Sequence, residues 1–269
     1  MFKQIMAITG IARSGTSWIA QIVDSSPDVA FRFQPLFSYA FKGVVDEDSS
    51  KEDYLHFFEG IYNSSDSFLL QTDKRTTNLY PVFNKNDSLS HLAFKENRYL
   101  YLLPKMLQYF DNFKLIGIIR HPCGSLNSWL RNPKEFPPGA EPKKEWRFGS
   151  CKNEGKVENF FGYYKWKEVA NLFLDLKSKH PEKAMIINYD TFVDNPVVLT
   201  KSIFDFSDLP LSEQTTSFLK KSQAIHEDSP YAVFKDKSVR DAWRSQLDPY
   251  IVNEILNDLS GTRLEMFIE

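Results

Sequence analysis

Gln4-Ile5-Met6-Ala7-Ile8-Thr9-Gly10-Ile11-Ala12-Arg13-Ser14-Gly15-Thr16-Ser17-Trp18-Ile19 opens the chain and decides its fold. Residues 3–9 read as a short buried strand and Gly10 to Ser14 as a turn. A helix is expected from Gly15 to about Ser25, because Trp18, Ile19, Ile22 and Val23 recur at helical spacing. Ser25-Ser26-Pro27 stops it. Gly10 and Gly15 have the spacing of a phosphate-binding loop, in the strand-to-helix context such a loop requires. Backbone N–H groups at such a helix start converge on one spot, and the helix dipole favours an anion there. A glycine turn that only joins strand to helix would read the same way. A nucleoside-triphosphate loop places Lys directly after its second glycine; here Thr16 stands there, and the basic residue is Arg13.

Working outward, Ala30 to Phe33 reads as a second strand, Lys51 to Ile61 as a helix and Ser67 to Gln71 as a third strand, ending at Thr72-Asp73-Lys74-Arg75. Leu100 to Phe110 is a helix. Lys114 to Ile119 is a continuous apolar run, the pattern of the buried centre of a parallel sheet, and ends at Arg120-His121-Pro122. A helix follows to about Leu130. The proline-rich 132–155 segment reads as a lid, Val157 to Lys179 as a long helix and Ala184 to Asn188 as a strand before Tyr189, with two or three helices closing the chain. Strands alternating with helices give an α/β fold, a mainly parallel sheet flanked by helices in three layers. One domain over 1–269 is expected, with acceptor-site or lid insertions at 36–66, 76–99 and 132–155.

The bulk numbers agree with a globular enzyme. Of 269 residues, 25 % are charged and 42 % hydrophobic, and the net charge of −2 argues against a general nucleic-acid binder, so any anion site is local. The 23 Phe suit an aromatic core more simply than an aromatic acceptor site. Cys123 and Cys151 have no metal-ligand spacing and read as free thiols. No stretch has the length of a membrane span, the N-terminus reads as a strand rather than a signal peptide, and a cytoplasmic location is the simplest expectation.

Arg13-Ser14-Gly15-Thr16-Ser17-Trp18 resembles the 5′-phosphosulfate loop of sulfotransferases that use 3′-phosphoadenosine-5′-phosphosulfate (PAPS). Arg120-His121-Pro122-Cys123-Gly124-Ser125-Leu126-Asn127-Ser128 is similar to the family's 3′-phosphate motif, an Arg followed by Ser eight places on. Ile186 to Phe192 and Asp194-Asn195-Pro196 resemble the strand that carries a tyrosine near the adenine, here Tyr189. Lys237-Ser238 before Trp243 resembles the basic loop near the 3′-phosphate, with Asp236 where the family has Arg. The likeness runs from about Ile5 to Leu247, and the Ser26 to Pro35 segment is closer to the bacterial and carbohydrate branches than to the steroid and phenol branch.

The resemblance implies sulfuryl transfer from PAPS to an acceptor hydroxyl, of a carbohydrate or other small molecule, by in-line displacement and with no metal. It puts Arg13 on the 5′-phosphosulfate, Ser14 to Ser17 on its phosphate, Trp18 against the base, Arg120 and Ser128 on the 3′-phosphate, and Lys237 beside them. Lys74 resembles the lysine that faces the sulfonate, and with Arg13 makes the expected catalytic pair. The general base is the gap: many relatives carry Glu before the proline after the second strand, where this chain has Gln34 before Pro35, and an amide cannot take that proton. Asp73, His56 and Glu52 are the other candidates. Two alternatives stay open. One is a protein that binds the nucleotide without catalysis, for which Gln34 argues. The other is a P-loop kinase or NTPase, which would want Lys at position 16 and Asp at the end of the 114–119 strand.

Overall fold

The strand β1 (Gln4–Gly10) is buried on both faces from Ile5 onward. Ile5 and Ala7 point into one hydrophobic cluster and Met6 and Ile8 into another, which is why the strand reads as unbroken apolar sequence. In the computed structural model, which describes residues 2–224 and 238–269, β1 is the middle of a five-stranded sheet. Its other members are β2 (Val29–Phe33), β3 (His91–Glu96), β4 (Phe113–Ile119) and β5 (Ala184–Asn188), in the order β2-β3-β1-β4-β5. Every pairing is parallel; Ala7 lies between Phe94 and Leu115.

The helices in chain order are α1 (Thr16–Asp24), α2 (Lys51–Asn63), α3 (Ser67–Leu70), α4 (Thr72–Thr76), α5 (Leu103–Tyr109), α6 (Pro122–Leu130), α7 (Pro142–Glu145), α8 (Tyr163–Lys179), α9 (Tyr189–Asp194), α10 (Pro196–Phe206), α11 (Glu213–Ala224), α12 (Ser238–Asp241), α13 (Trp243–Gln246) and α14 (Pro249–Leu259). One face of the sheet is covered by α1, α10 and α11 through Ile19, Ile203, Phe204 and Phe218. The other is covered by α2, α5, α8 and α14. There Phe58 meets Phe110 and Phe113 at ring separations of 5.3 and 6.2 Å, so much of the phenylalanine content is core. No helix among the described residues is long and apolar enough to cross a membrane.

Four expectations change. Ser67 to Gln71 is not a strand: the Asp66 carboxylate accepts the Leu69 N–H at 3.0 Å and Gln71 takes a left-handed φ of 54°, which closes one helical turn, α3. Lys74 therefore sits in α4 and not at a strand end. The third strand is His91–Glu96, inside the 76–99 segment expected as an insertion; its Lys95 and Glu96 hide an otherwise apolar run. The centre of the sheet is β1, and β4 lies between β1 and β5. The long helix starts at Tyr163 rather than Val157, because Gly162 (φ 92°) presses against the backbone of Arg147 to Gly149, and the Asn153 amide bonds the Phe161 carbonyl at 2.8 Å.

α1 ends in Asp24, a carboxylate 2 % exposed at the negative pole of its helix. Arg75 at 2.7 Å and Lys85 at 2.9 Å neutralise it and tie α4 and the 77–90 connection to the sheet. Asp24→Ala leaves both cations facing a buried void; a loss of about 3 kcal/mol is expected, read as a lower urea midpoint.

Candidate active site

The carboxyl ends of β1, β3 and β4 open into a cleft holding a cavity of about 430 Å³. Its floor is the turn between β1 and α1. Arg13 (φ 69°) and Gly15 (φ 83°) both take the left-handed backbone conformation there. Only the glycine lacks the side chain that would be punished: a Cβ at Gly15 would lie 2.1 Å from the Tyr189 ring. Among the described residues no side chain caps the N-terminus of α1, which opens on the cleft at Gly15, Thr16 and Ser17.

Of the loop residues, Arg13, Gly15, Thr16, Ser17 and Trp18 line the cavity. Ser14 does not line it: it is fully buried beneath the turn, its N–H on the Ile11 carbonyl at 3.3 Å. The Thr16 hydroxyl meets the Asn97 side chain at 3.3 Å, and the Asn97 amide also donates to the Gly10 carbonyl, which locks the turn to the end of β3. The Trp18 ring stands edge-on to Phe192 at 5.0 Å, and its Nε1–H donates to Ser222 of α11 at 2.9 Å.

The second wall comes from β4 and α6. Arg120 is 5 % exposed; its guanidinium donates to the Arg13 carbonyl at 3.2 Å and lies 5.2 Å from the centre of the Tyr189 ring. Gly124 leaves room for it, since a Cβ there would come within 2.8 Å of Arg120 Nε. Arg13 Nε donates to Ser128 Oγ at 3.1 Å, so the loop and α6 meet across the cleft. Beneath Arg120, His121 stacks on Trp243 at 4.4 Å, accepts the Cys123 N–H through Nδ1 at 3.2 Å and donates its own backbone N–H to Asp190 at 2.8 Å. Burial first, then the Arg244 and Arg120 charges, push its pKa down to about 4, so it is neutral.

Lys74 reaches the cleft from α4, its Nζ 4.7 Å from the centre of the Phe33 ring and 4.6 Å from that of Tyr80. Burial lowers its pKa to about 8. Lys95, the residue that sequence reading missed, enters from β3; its Nζ is also 4.7 Å from the Phe33 ring. Burial lowers its pKa to about 7, opposed by Glu96 and assisted by the charges of Lys74 and Arg13. Glu96 itself is raised to about 7 by burial, restrained by the N–H groups of Arg98, Asn97 and Leu36 that bond it. Arg98 sits between the rings of Phe37 and Phe160, 4.4 and 4.7 Å from their centres. The signal for this group was the run Lys95-Glu96-Asn97-Arg98 directly after a short apolar stretch.

Gln34 lines the mouth of the cleft on a backbone of φ 41°. The other base candidates lie outside it. Asp73 is exposed on α4. His56 and Glu52 pair with each other at 3.5 Å on the solvent face of α2, each about two-thirds exposed or more. Lys237 lies outside the described residues.

A profile described as "Sulfotransferase family" matches residues 6–213. No curated protein matches the sequence. Among solved structures, a mouse sulfotransferase complexed with PAP, the 3′-phosphoadenosine-5′-phosphate left when PAPS loses its sulfuryl group, is 14 % identical, with a TM-score of 0.56 over 100 % of this chain and 89 % of that one. A sulfotransferase from Alicyclobacillus acidocaldarius is 14 % identical, with a TM-score of 0.55 over 98 % and 95 %. Retinol dehydratase in complex with androsterone and PAP is 15 % identical, with a TM-score of 0.57 over 98 % and 83 %. At these identities the likeness is one of fold.

Two outcomes follow from the site's geometry. Gly15→Ala drives its methyl into Tyr189 and strains the turn; nucleotide affinity measured by calorimetry is expected to fall more than tenfold. The neutral His121, whose pKa drops from an unfolded 6.5 to about 4, contributes stability that is present above pH 6.5 and lost as the pH falls to 4. Roughly 3 kcal/mol of acid destabilisation is expected over that window, and urea titrations of His121→Gln at pH 7 and pH 4 should lack it.

Proposed function

The chain belongs to the sulfotransferase family, and on that footing we propose that it moves a sulfuryl group from PAPS to the hydroxyl of a carbohydrate or other small acceptor. The observation that carries this reading is the convergence of Arg13, Lys74, Lys95 and Arg120 on one cleft at an uncapped helix start. PAPS supplies a sulfuryl group already activated on its 5′-phosphate.

The N–H groups at the start of α1 bind the 5′-phosphate, and Gly15 allows the backbone to approach it. Thr16 is occupied by Asn97 and shapes the loop, while the Ser17 hydroxyl, which Tyr80 meets, stays at the cavity wall. Arg120 and Ser128 hold the 3′-phosphate, the Arg by its fork and the Ser as a compact donor. Tyr189 and Trp18 form the wall for the base; in both the ring is already fixed by packing.

Arg13 holds the oxygens on which charge builds during an in-line displacement. Lys95 and Lys74 flank that position. In the unliganded protein burial lowers both lysines to about 7 and 8, so a fraction of each is neutral, and an arriving anion favours the charged form. The acceptor enters past Phe37, Phe68, Phe160 and Phe161, rings suited to the faces of a sugar or another flat group. Gln34 favours a second reading, a protein that binds the nucleotide without transferring from it.

Calorimetric titration with PAP, beside ATP with magnesium, tests the donor site: tight binding of PAP alone supports it, and preference for ATP with magnesium overturns it. Arg13→Ala should abolish transfer while leaving the fold intact, and near-normal turnover would remove it from the mechanism. Ser128→Ala should weaken PAP about tenfold but adenosine 5′-phosphosulfate hardly at all; equal losses would end its assignment to the 3′-phosphate. Because Lys95 and Lys74 in the unliganded protein have pKa values of about 7 and 8, binding at pH 8 should take up protons, and affinity should fall as the pH rises from 7 to 9. Titration in buffers of different ionisation enthalpy reads this directly.

A further inference from the structure

Cations dominate the cleft: Arg13, Lys74, Lys95, Arg98, Arg120 and Lys152 line it, and among the described lining residues one carboxylate faces them, Glu135. It lies in the segment read from sequence as a lid, seven residues beyond Ser128, with nothing in the sequence to single it out. Its backbone is fixed. The carbonyl of the buried Asn132 accepts the N–H of Glu135 at 3.0 Å and of Phe136 at 2.8 Å, and the Asn132 side chain accepts that of Lys134 at 3.1 Å. Phe136 then anchors the turn edge-on to Trp129 at 5.3 Å.

The two carboxylate oxygens of Glu135 have different surroundings. Oε1 is 3.8 Å from the Arg13 guanidinium, a loose contact. Oε2 is closed off from solvent and has no hydrogen-bond partner among the described residues. A buried carboxylate oxygen left without a donor is costly, so the side chain gains by turning to a ligand's donor in the cleft. Its charge also acts on Lys95, which places it at the same end of the cleft as Arg13 and Lys95, two of the cations proposed to surround the sulfuryl group. Glu96, the other nearby acid, cannot take this part: three backbone N–H groups already bond it.

We propose that Glu135 is the general base, taking over from the lid side the role that Gln34 cannot fill. This rests on the proposed donor site. The acceptor O–H donates to the Glu135 carboxylate, which lines the cleft, and gives up its proton there as the acceptor oxygen bonds to sulfur. The sulfur's bond to the oxygen of the 5′-phosphate breaks, and that oxygen leaves with the electron pair beside Arg13. The proton on Glu135 passes to solvent once the products leave. With no acceptor present, water occupies the acceptor's place, and the same carboxylate takes its proton.

Glu135→Gln and Glu135→Asp test this by three readouts. Calorimetry with PAP should give affinities within about threefold of wild type, because the base does not hold the nucleotide. Inorganic sulfate should bind the PAP-loaded Glu135→Gln protein several-fold more tightly than wild type, since a negative charge beside the sulfuryl position is gone. Release of labelled sulfate from PAPS without acceptor should fall at least tenfold in Glu135→Gln and partly return in Glu135→Asp. A wild-type protein that does not bind PAP sinks the donor-site reading and this inference with it. A wild-type protein that binds PAP yet leaves PAPS as stable as buffer does, or a Glu135→Gln protein that matches wild type in sulfate release, overturns the base alone.

Discussion

Burial of positive charge at the carboxyl ends of parallel strands is the constraint on which this structure turns. Lys95 enters at the end of β3, Arg120 at the end of β4 and Arg13 from the turn after β1, with Lys74 brought in by α4. Removing such charges from water is unfavourable, and the protein answers in two ways. Aromatic faces cover the cations: Phe33 for both lysines, Tyr80 for Lys74, Tyr189 for Arg120. The lysines also shift toward neutrality, to about 7 and 8. Among the described lining residues cations outnumber carboxylates, a balance suited to a doubly phosphorylated, sulfated nucleotide.

The rest of the architecture keeps that site in register. Parallel pairing carries three strand ends to one edge, and the switch in chain direction on either side of β1 leaves the crevice there. Asn97 then bonds the phosphate loop to β3, and Arg120 bonds it to β4. Glu96 fixes the turn after β2 through Leu36. These polar contacts join neighbouring loops whose backbones would otherwise be free to drift, so the cleft is organised before a ligand arrives.

The proposed acceptor walls are drawn from the less regular parts of the chain. Phe37 follows β2, Phe68 belongs to α3, and Phe160 and Phe161 precede α8. Arg98 wedged between Phe37 and Phe160 couples two of these walls. The 36–66 segment also contributes α2, whose Tyr54, Phe57, Phe58 and Ile61 belong to the core, so it serves the fold as well as the cleft.

How much was legible in sequence follows the range of the interactions. The strand, turn and helix around Gly10 and Gly15, the parallel α/β class, and the Arg120 to Ser128 spacing are set by neighbours close along the chain, and each could be read there. Ser67 to Gln71 failed because three apolar residues carry no period, and one Asp66 cap decided for a turn of helix. β3 failed because Lys95 and Glu96 are ionisable residues that the fold buries, Glu96 on the N–H groups of Leu36, Asn97 and Arg98 and Lys95 by the Phe33 ring. The same holds at the site. Sequence supplied the candidate anion loop and its missing lysine, and the family resemblance pointed to the glutamine where a base was wanted. Tertiary structure decided that Lys95 joins Lys74, that Ser14 turns away, and that Glu135 comes within reach of Arg13 from a part of the chain 122 residues later. The physical reason is that burial and charge proximity depend on which distant segments share a strand end, and no local pattern encodes that.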